Sequence, residues 1–251
     1  MSFPPDRRSA QRLITLASHG VNDIYFFLLP VVLPVIIRDL GLRLGSAGLL
    51  VSAFLLVVSA SSFFSGRSAD RVAGWKLIAA GFLVTACGVL AAAFTRGYAL
   101  LTGAFMLAGL GVGTFHPTAY AQFDRLAMSR TGRSFAQFEL WASSSLVIMF
   151  VASGALLRSI GWRGVLIVTG VLALLMVAVN TWGYRREAGP AEEPPAAPPP
   201  GHPARVTGGT SGAVPSRAVQ SRAVLLSVFL GATTMRFLCV TAVLNFLPTY
   251  L

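Results

Sequence analysis

The 251-residue chain is 55% hydrophobic and only 12% charged, against roughly 25% charged residues in an ordinary soluble domain. This composition, with a mean hydropathy of +0.70, excludes a soluble globular fold. The net charge of +11 does not indicate a nucleic-acid partner, because the basic residues are spread over many loops and are not gathered into one stripe. The chain is predicted to be an all-α membrane protein in contact with the lipid bilayer.

Seven apolar stretches are long enough to cross a hydrocarbon layer about 30 Å thick. The first is interpreted as a retained helix and not a cleavable signal, because it contains Asp23, Pro30 and Pro34 and leads directly into further spans. In chain order the predicted helices cover residues 13–37, 46–64, 77–94, 99–121, 136–157, 164–184 and 223–251. Residues 1–12 precede them as a tail, and residues 13–184 form a predicted six-helix transmembrane domain.

The loop charges predict the orientation of these helices. Of the 20 lysines and arginines, 14 fall in loops on the side of the N-terminus and five in loops on the opposite side. Cytoplasmic loops of membrane proteins carry an excess of Lys and Arg. The N-terminus is therefore predicted to be cytoplasmic, in a bacterial-type inner membrane that the chain crosses several times.

Residues 185–222 differ in composition from the helices around them. They are rich in Pro, Gly, Ala and Ser, and Pro194–Pro200 can neither continue a helix nor pack a core. We interpret the segment as a flexible cytoplasmic linker. Six spans, a long inner linker and a new span at 223–251 are typical of a transporter built from two six-helix halves. The chain is expected to be a fragment whose partner is the rest of the second half.

Polar residues in the first helix are the strongest candidates for chemistry. His19 and Asp23 are four residues apart on one helical face, and Asn22 lies beside them. A charged Asp at a helix centre costs about 2.5–3.5 kcal/mol, so Asp23 should face the bundle interior and have a partner. Burial disfavours a carboxylate charge and an imidazolium favours it, so such a pair can exchange protons. The alternatives are proton or substrate coupling and structural pairing.

Three further candidates lie in later helices. His116 follows the glycines at 109, 111 and 113, which form a surface for close helix packing, and either accepts protons or makes a structural hydrogen bond. Glu139 lies near the cytoplasmic end of the fifth helix, where it is either solvated or paired with Arg133. Arg236, inside the seventh helix, either balances an acidic residue or holds an anionic substrate.

The loop after the second helix carries a more specific pattern. It resembles the signature between the second and third helices of the major facilitator superfamily, although Ser68 departs from it and the second glycine comes one residue late. The matching residues are Gly66, Ala69, Asp70, Arg71, Gly74 and Lys76. The resemblance implies that this is a gating loop, in which Asp70 and Arg71 latch the cytoplasmic side during alternating access.

Two other motifs narrow the resemblance. The pattern S-H-x-x-N-D at 18–23 and F-H-P at 115–117 is similar to the fosmidomycin-resistance group of efflux proteins within that superfamily. Membership implies twelve helices, export of drugs and proton antiport. The fifth helix lacks the glycine-proline element of antiporters, which leaves the direction of transport open.

Other function classes fit the sequence less well than a transporter. His19, Asp23 and His116 could form the metal site of a membrane hydrolase, but the sequence has no H-E-x-x-H motif and no activated nucleophile. A non-transporting sensor or assembly protein and a metabolite importer remain alternatives. The sequence favours a transporter that is not an enzyme, has no cofactor or resident metal, and couples protons to the export of a small organic solute or drug.

Overall fold

The computed structural model describes residues 7–68, 72–126 and 131–185. Within these ranges the chain consists of helices and short turns, with no β-strand, which confirms the all-helical prediction. Asp70, Arg71, the predicted linker from residue 186 onward and the predicted seventh helix with Arg236 lie outside the described residues.

Four helices precede one long helical segment. They are α1 (Arg7–Leu40), α2 (Leu44–Ser68), α3 (Gly74–Phe94) and α4 (Tyr98–Leu126). The segment Thr131–Arg185 is interrupted at Gly161, whose φ of 65° and ψ of 176° are not helical. Glycine adopts a positive φ without a Cβ penalty, and the break separates α5 (131–160) from α6 (162–185). The predicted fifth and sixth helices fall on either side of it.

The helices have the length and surface of membrane spans. Five helical stretches of the described chain are long and apolar enough to cross a bilayer, counting 136–184 as one. Large apolar side chains face outward along them, such as Leu56 at 71% exposure and Val151 at 76%. A soluble protein rarely exposes apolar surface on this scale, so the fold is that of a multi-pass membrane protein.

The predicted helices are shorter than the observed helices at several of their ends. Helix α1 begins at Arg7 and α4 ends at Leu126, whereas the apolar stretches predicted 13 and 121. Hydropathy marks only the apolar part of a helix, and backbone hydrogen bonding continues into polar flanks. Helix α1 also continues through Pro30 and Pro34.

Hydrogen bonds join α1 to α6 as an antiparallel pair along most of their length. The Thr15 and Tyr184 hydroxyls are 3.0 Å apart, and Asn180 Nδ2 donates to Ser18 Oγ at 2.9 Å. Further along, the Tyr25 hydroxyl donates to the Thr169 carbonyl at 2.7 Å. The partner number on α6 falls as the number on α1 rises, which fixes the antiparallel direction.

Helix α4 packs closely against α3 and α2 through glycines. A Cβ at Gly111 would collide with the Gly81 carbonyl oxygen and lie 2.5 Å from the Thr85 nitrogen, both on α3. A Cβ at Gly113 would lie 2.9 Å from Ser61 Cβ on α2. The backbones approach one another as they do at small-residue interfaces of membrane helices, which confirms the packing surface predicted from the glycine run.

A polar cluster ties α1, α3 and α6 together at the end of the bundle opposite the chain start. Arg163 Nη1 donates to the carbonyls of Ala93 at 3.0 Å and Thr95 at 2.7 Å, and its Nη2 lies 3.7 Å from Asp39 Oδ2. Trp162 Nε1 donates to the same carboxylate oxygen at 2.9 Å. Arg163 therefore satisfies carbonyls at the C-terminus of α3, which have no partner within that helix.

Replacement of Arg163 by glutamine is expected to lower the free energy of unfolding by about 1 kcal/mol, because hydrogen bonds from a charged group contribute roughly 1.5–3 kcal/mol and this one is part-exposed. The change would appear as a lower thermal unfolding midpoint in detergent. Arg158→Gln serves as the control, since Arg158 is exposed on α5 close to the same break. Equal midpoints for the two variants would contradict the expected role of Arg163.

Candidate functional site

His19 lies in the packed interior where α1, α4 and α5 meet. Its side chain is 1% exposed, its ring stacks on Phe138 at a centroid distance of 3.8 Å, and its Nδ1 is 3.0 Å from the Phe138 carbonyl oxygen. A carbonyl oxygen only accepts hydrogen bonds, so Nδ1 carries a hydrogen. The other ring nitrogen, Nε2, points toward Asp23.

Asp23 lies between two histidines. Its Oδ1 is 3.2 Å from His116 Nε2 on α4 and 3.8 Å from His19 Nε2 one helical turn away. Asp23 is 15% exposed and His116 is 33% exposed, so the cluster runs from a buried imidazole to one that reaches the surface of the bundle. We call these three residues the His–Asp–His cluster.

The cluster brings together residues that the sequence predicted from separate helices. His19 and Asp23 meet through their spacing on α1, and His116 joins them because α4 runs antiparallel to α1. Asn22 is 2% exposed, and its Nδ2 has no hydrogen-bond partner among the described residues. It lies next to Asp23 in the chain, but no hydrogen bond links it to the cluster within the described ranges.

Glu139 lies beside the cluster on α5. Its Oε1 accepts a hydrogen bond from the Tyr120 hydroxyl at 2.7 Å. The Tyr120 ring is 6.2 Å from the His116 ring and 6.4 Å from the His19 ring. The side chain of Arg133 is outside the described positions, and the partner of Glu139 seen here is Tyr120. Sequence reasoning missed Tyr120, although its place four residues after His116 on a helix could have indicated it.

The described residues of the predicted gating loop lie at the same end of the bundle. Gly66 is near the end of α2, and a Cβ there would make ordinary contact with Pro117 Cβ at 3.7 Å. Gly74 begins α3, and a Cβ there would lie 2.6 Å from Gln122 Oε1 on α4. Lys76 is exposed, with its Nζ 5.6 Å from the Trp75 ring centroid. The role of this loop stays a prediction.

The donor atoms of the cluster are close enough to share one cation. His19, Asp23 and His116 each offer one ligand atom, and the three atoms lie within 4.8 Å of one another. A proton held between a carboxylate and an imidazole is the simplest occupant of such a group. These residues thus form a polar site with titratable groups inside the helix bundle.

Comparison with known proteins agrees with this architecture. The family model described as Major Facilitator Superfamily matches residues 15–251. The uncharacterized MFS-type transporter Rv1250 of Mycobacterium tuberculosis is 26% identical over 149 residues, which cover 58% of this chain and 26% of that protein. The arabinose-proton symporter of Escherichia coli is 24% identical over 128 residues, or 51% of this chain and 27% of the symporter.

The matched regions span about a quarter of the length of these two relatives. The family match covers nearly the whole chain, including every described helix from residue 15 onward. The chain therefore belongs to the Major Facilitator Superfamily of transporters.

Proposed function

We propose that the protein is a secondary transporter that couples proton movement to the export of a small organic solute or drug by alternating access. The observation that carries the proposal is the position of Asp23, whose Oδ1 lies 3.2 Å and 3.8 Å from two histidine Nε2 atoms inside a membrane helix bundle. The His–Asp–His cluster joins α1 to α4 within one six-helix half, and alternating access moves such a half as a body against its partner half.

The chemistry of the cluster suits a site that binds and releases a proton. An isolated carboxylate within a membrane helix is expensive, but an imidazolium beside it neutralises its charge. Loss of the proton leaves a net negative charge among apolar helices, which favours a conformation that exposes Asp23 to water. Binding of the proton restores a neutral cluster and favours the closed arrangement. The difference between the two protonation states thereby biases the conformational equilibrium.

One comparison supports protons as the coupling ion. A relative of the chain is named an arabinose-proton symporter, and symport carries both solutes in the same direction. This name favours a second candidate, proton-coupled uptake of a metabolite such as a sugar. We retain export as the first candidate because of the motifs at 18–23 and 115–117 that resemble the fosmidomycin-resistance group.

Several residues outside the described ranges belong to the same proposal. Asp70 and Arg71 would latch the cytoplasmic side, and Arg236 would balance the acidic residues or hold an anionic group of the substrate. We further propose that the N-terminus is cytoplasmic, that the membrane is a bacterial-type inner membrane, and that the remaining half of the transporter supplies the facing wall of the pathway.

The proposal is tested by accumulation of labelled compounds in an efflux-deficient bacterial host that expresses the complete protein. The panel includes phosphonate and cationic drugs together with arabinose. Export predicts lower accumulation than in the host with an empty vector, and a protonophore should remove the difference. Higher, protonophore-sensitive accumulation of the sugar would replace export by uptake, and unchanged accumulation of every compound would contradict drug export.

A further inference from the structure

The tautomer of His19 places a lone pair opposite the Asp23 carboxylate. Because its Nδ1–H donates to the Phe138 carbonyl at 3.0 Å, the neutral ring has a lone pair on Nε2, directed at the Asp23 carboxylate 3.8 Å away. Two electron-rich atoms that face one another in a largely buried position repel one another, and a cation between or beside them removes that repulsion. A proton on His19 is one such cation, and a metal ion is the other.

We propose that the His–Asp–His cluster is also a binding site for a divalent transition-metal ion of the Zn²⁺ type. His19 Nε2, His116 Nε2 and an Asp23 carboxylate oxygen are the three protein ligands, and water completes the coordination. This inference goes beyond the proposed function and does not rest on it, because metal binding requires only the geometry of the described helices.

The donor set and its support match this class of ion. Two imidazoles and one carboxylate are typical ligands of Zn²⁺ and its neighbours, whereas Mg²⁺ and Ca²⁺ prefer oxygen ligands alone. The hydrogen bond from His19 Nδ1 to the Phe138 carbonyl is the outer-shell contact that orients metal-bound histidines and fixes their tautomer. Stacking on Phe138 at 3.8 Å also holds the ring in place.

The distances require only a small closing movement. Zn–N bonds are about 2.0–2.1 Å long, so two ligands of a tetrahedral ion lie about 3.4 Å apart. The present atoms lie within 4.8 Å of one another, and two of the pairs are already at 3.2 and 3.8 Å. His116 is 33% exposed, so its ring can approach while His19 stays fixed. The same exposure gives an ion access from the surface of the bundle.

Protons and metal ions would compete for these atoms. Metal binding requires neutral histidines and an ionised carboxylate, so affinity should fall as pH is lowered. The titratable groups facing His19 are Asp23 on its own helix, His116 and Tyr120 on α4, and Glu139 on α5. Among these, Tyr120 and Glu139 bind one another through a 2.7 Å hydrogen bond and are not assigned as ligands.

The test is calorimetric titration of the purified complete protein with Zn²⁺, using an affinity tag that contains no histidine. Wild-type protein is expected to bind one ion per chain, with weaker binding at pH 5.5 than at pH 7.5. Replacing His116 by alanine, or Asp23 by asparagine, should weaken binding by at least about 10-fold, the lower end of the effect of losing even an outer-shell partner. A parallel titration with Mg²⁺ should give no binding.

The chain contains its own matched control. It has three histidines, and the third, His202, lies in the predicted linker. His202→Ala should bind Zn²⁺ like the wild type. Size-exclusion profiles establish that each variant is folded, and His116→Gln replaces His116→Ala if the latter aggregates. Absence of wild-type binding, full affinity in the folded cluster variants, or an equal loss in His202→Ala would overturn the proposal.

Failure of this inference is distinguishable from failure of the proposed function. Transport is measured in the presence of a metal chelator, and Zn²⁺ binding is measured without any transported compound. A protein that transports but does not bind Zn²⁺ would refute the metal site alone. A protein that binds Zn²⁺ through the cluster but transports nothing in the panel would refute the proposed export alone.

Discussion

Replacing Asp23 by asparagine is expected to abolish protonophore-sensitive transport, bringing uptake to the level of membrane vesicles from the host with an empty vector. Asparagine has nearly the same shape but neither binds nor releases a proton between pH 5 and 8. It also removes the charge that faces His116 Nε2 at 3.2 Å and His19 Nε2 at 3.8 Å. The measurement is transport into inverted membrane vesicles with an imposed pH gradient.

The matched control changes the other aspartate of the same helix. Asp39 lies near the end of α1, about 24 Å from Asp23 at a rise of 1.5 Å per residue, and Asp39→Asn still offers an oxygen to Trp162 Nε1. Asp39→Asn should retain transport, and Asp23→Glu, which keeps a titratable group, should retain part of it. Full activity of Asp23→Asn at equal expression would remove Asp23 from the coupling mechanism.

A methyl group at Gly111 is expected to destabilise the bundle strongly. The Cβ of Gly111→Ala would collide with the Gly81 carbonyl oxygen and lie 2.5 Å from the Thr85 nitrogen. These are backbone atoms, which cannot rotate away as a side chain can, so α3 and α4 must separate. Overpacking typically costs about 1–3 kcal/mol, and we expect the upper part of that range. Thermal unfolding in detergent measures the change.

Gly103→Ala is the control for that variant on the same helix. A Cβ at Gly103 has no heavy atom within 4 Å, and alanine is a better helix former than glycine by about 1 kcal/mol. Gly103→Ala should therefore leave the unfolding midpoint unchanged or raise it. Equal midpoints for Gly111→Ala and Gly103→Ala would show that α3 and α4 do not approach as closely as the structure has them.

Much of the fold followed from the sequence because membrane helices are defined by the length of apolar stretches. The gap between the predicted fifth and sixth helices, 157–164, contains Gly161, where the helix breaks. The ends of the helices were harder to predict. Polar residues such as Arg7 can extend a helix, but they do not raise its hydropathy. The predicted domain boundaries and the gating role of the loop at 66–76 remain predictions.

The candidate site could be predicted only in part. His19 and Asp23 were paired by helical spacing, which is a local rule. Spacing carries no information on which residue of another helix will face them, and His116 was joined to them only by a motif resemblance and as a possible third metal ligand. The role of Phe138, whose carbonyl fixes the His19 tautomer, was missed. Every residue has a backbone carbonyl, so the residue type does not indicate which one accepts a hydrogen bond from a side chain. Arg163 was counted only as a loop charge, although it binds two carbonyls of the α3 terminus.

The antiparallel pairing of α1 with α6 has a mechanical consequence. Contacts at Thr15, Ser18, Tyr25 and Asp39 fasten α1 to α6 from one end to the other. Because the two helices are fastened along their length, neither can slide or tilt alone, and they behave as one rigid body with Asp23 near the middle of α1. A movement of α1 is then passed to α6 along the whole line of contacts and does not depend on the Asp39–Arg163 cluster alone. A rigid pair of helices therefore moves both ends of the described bundle together.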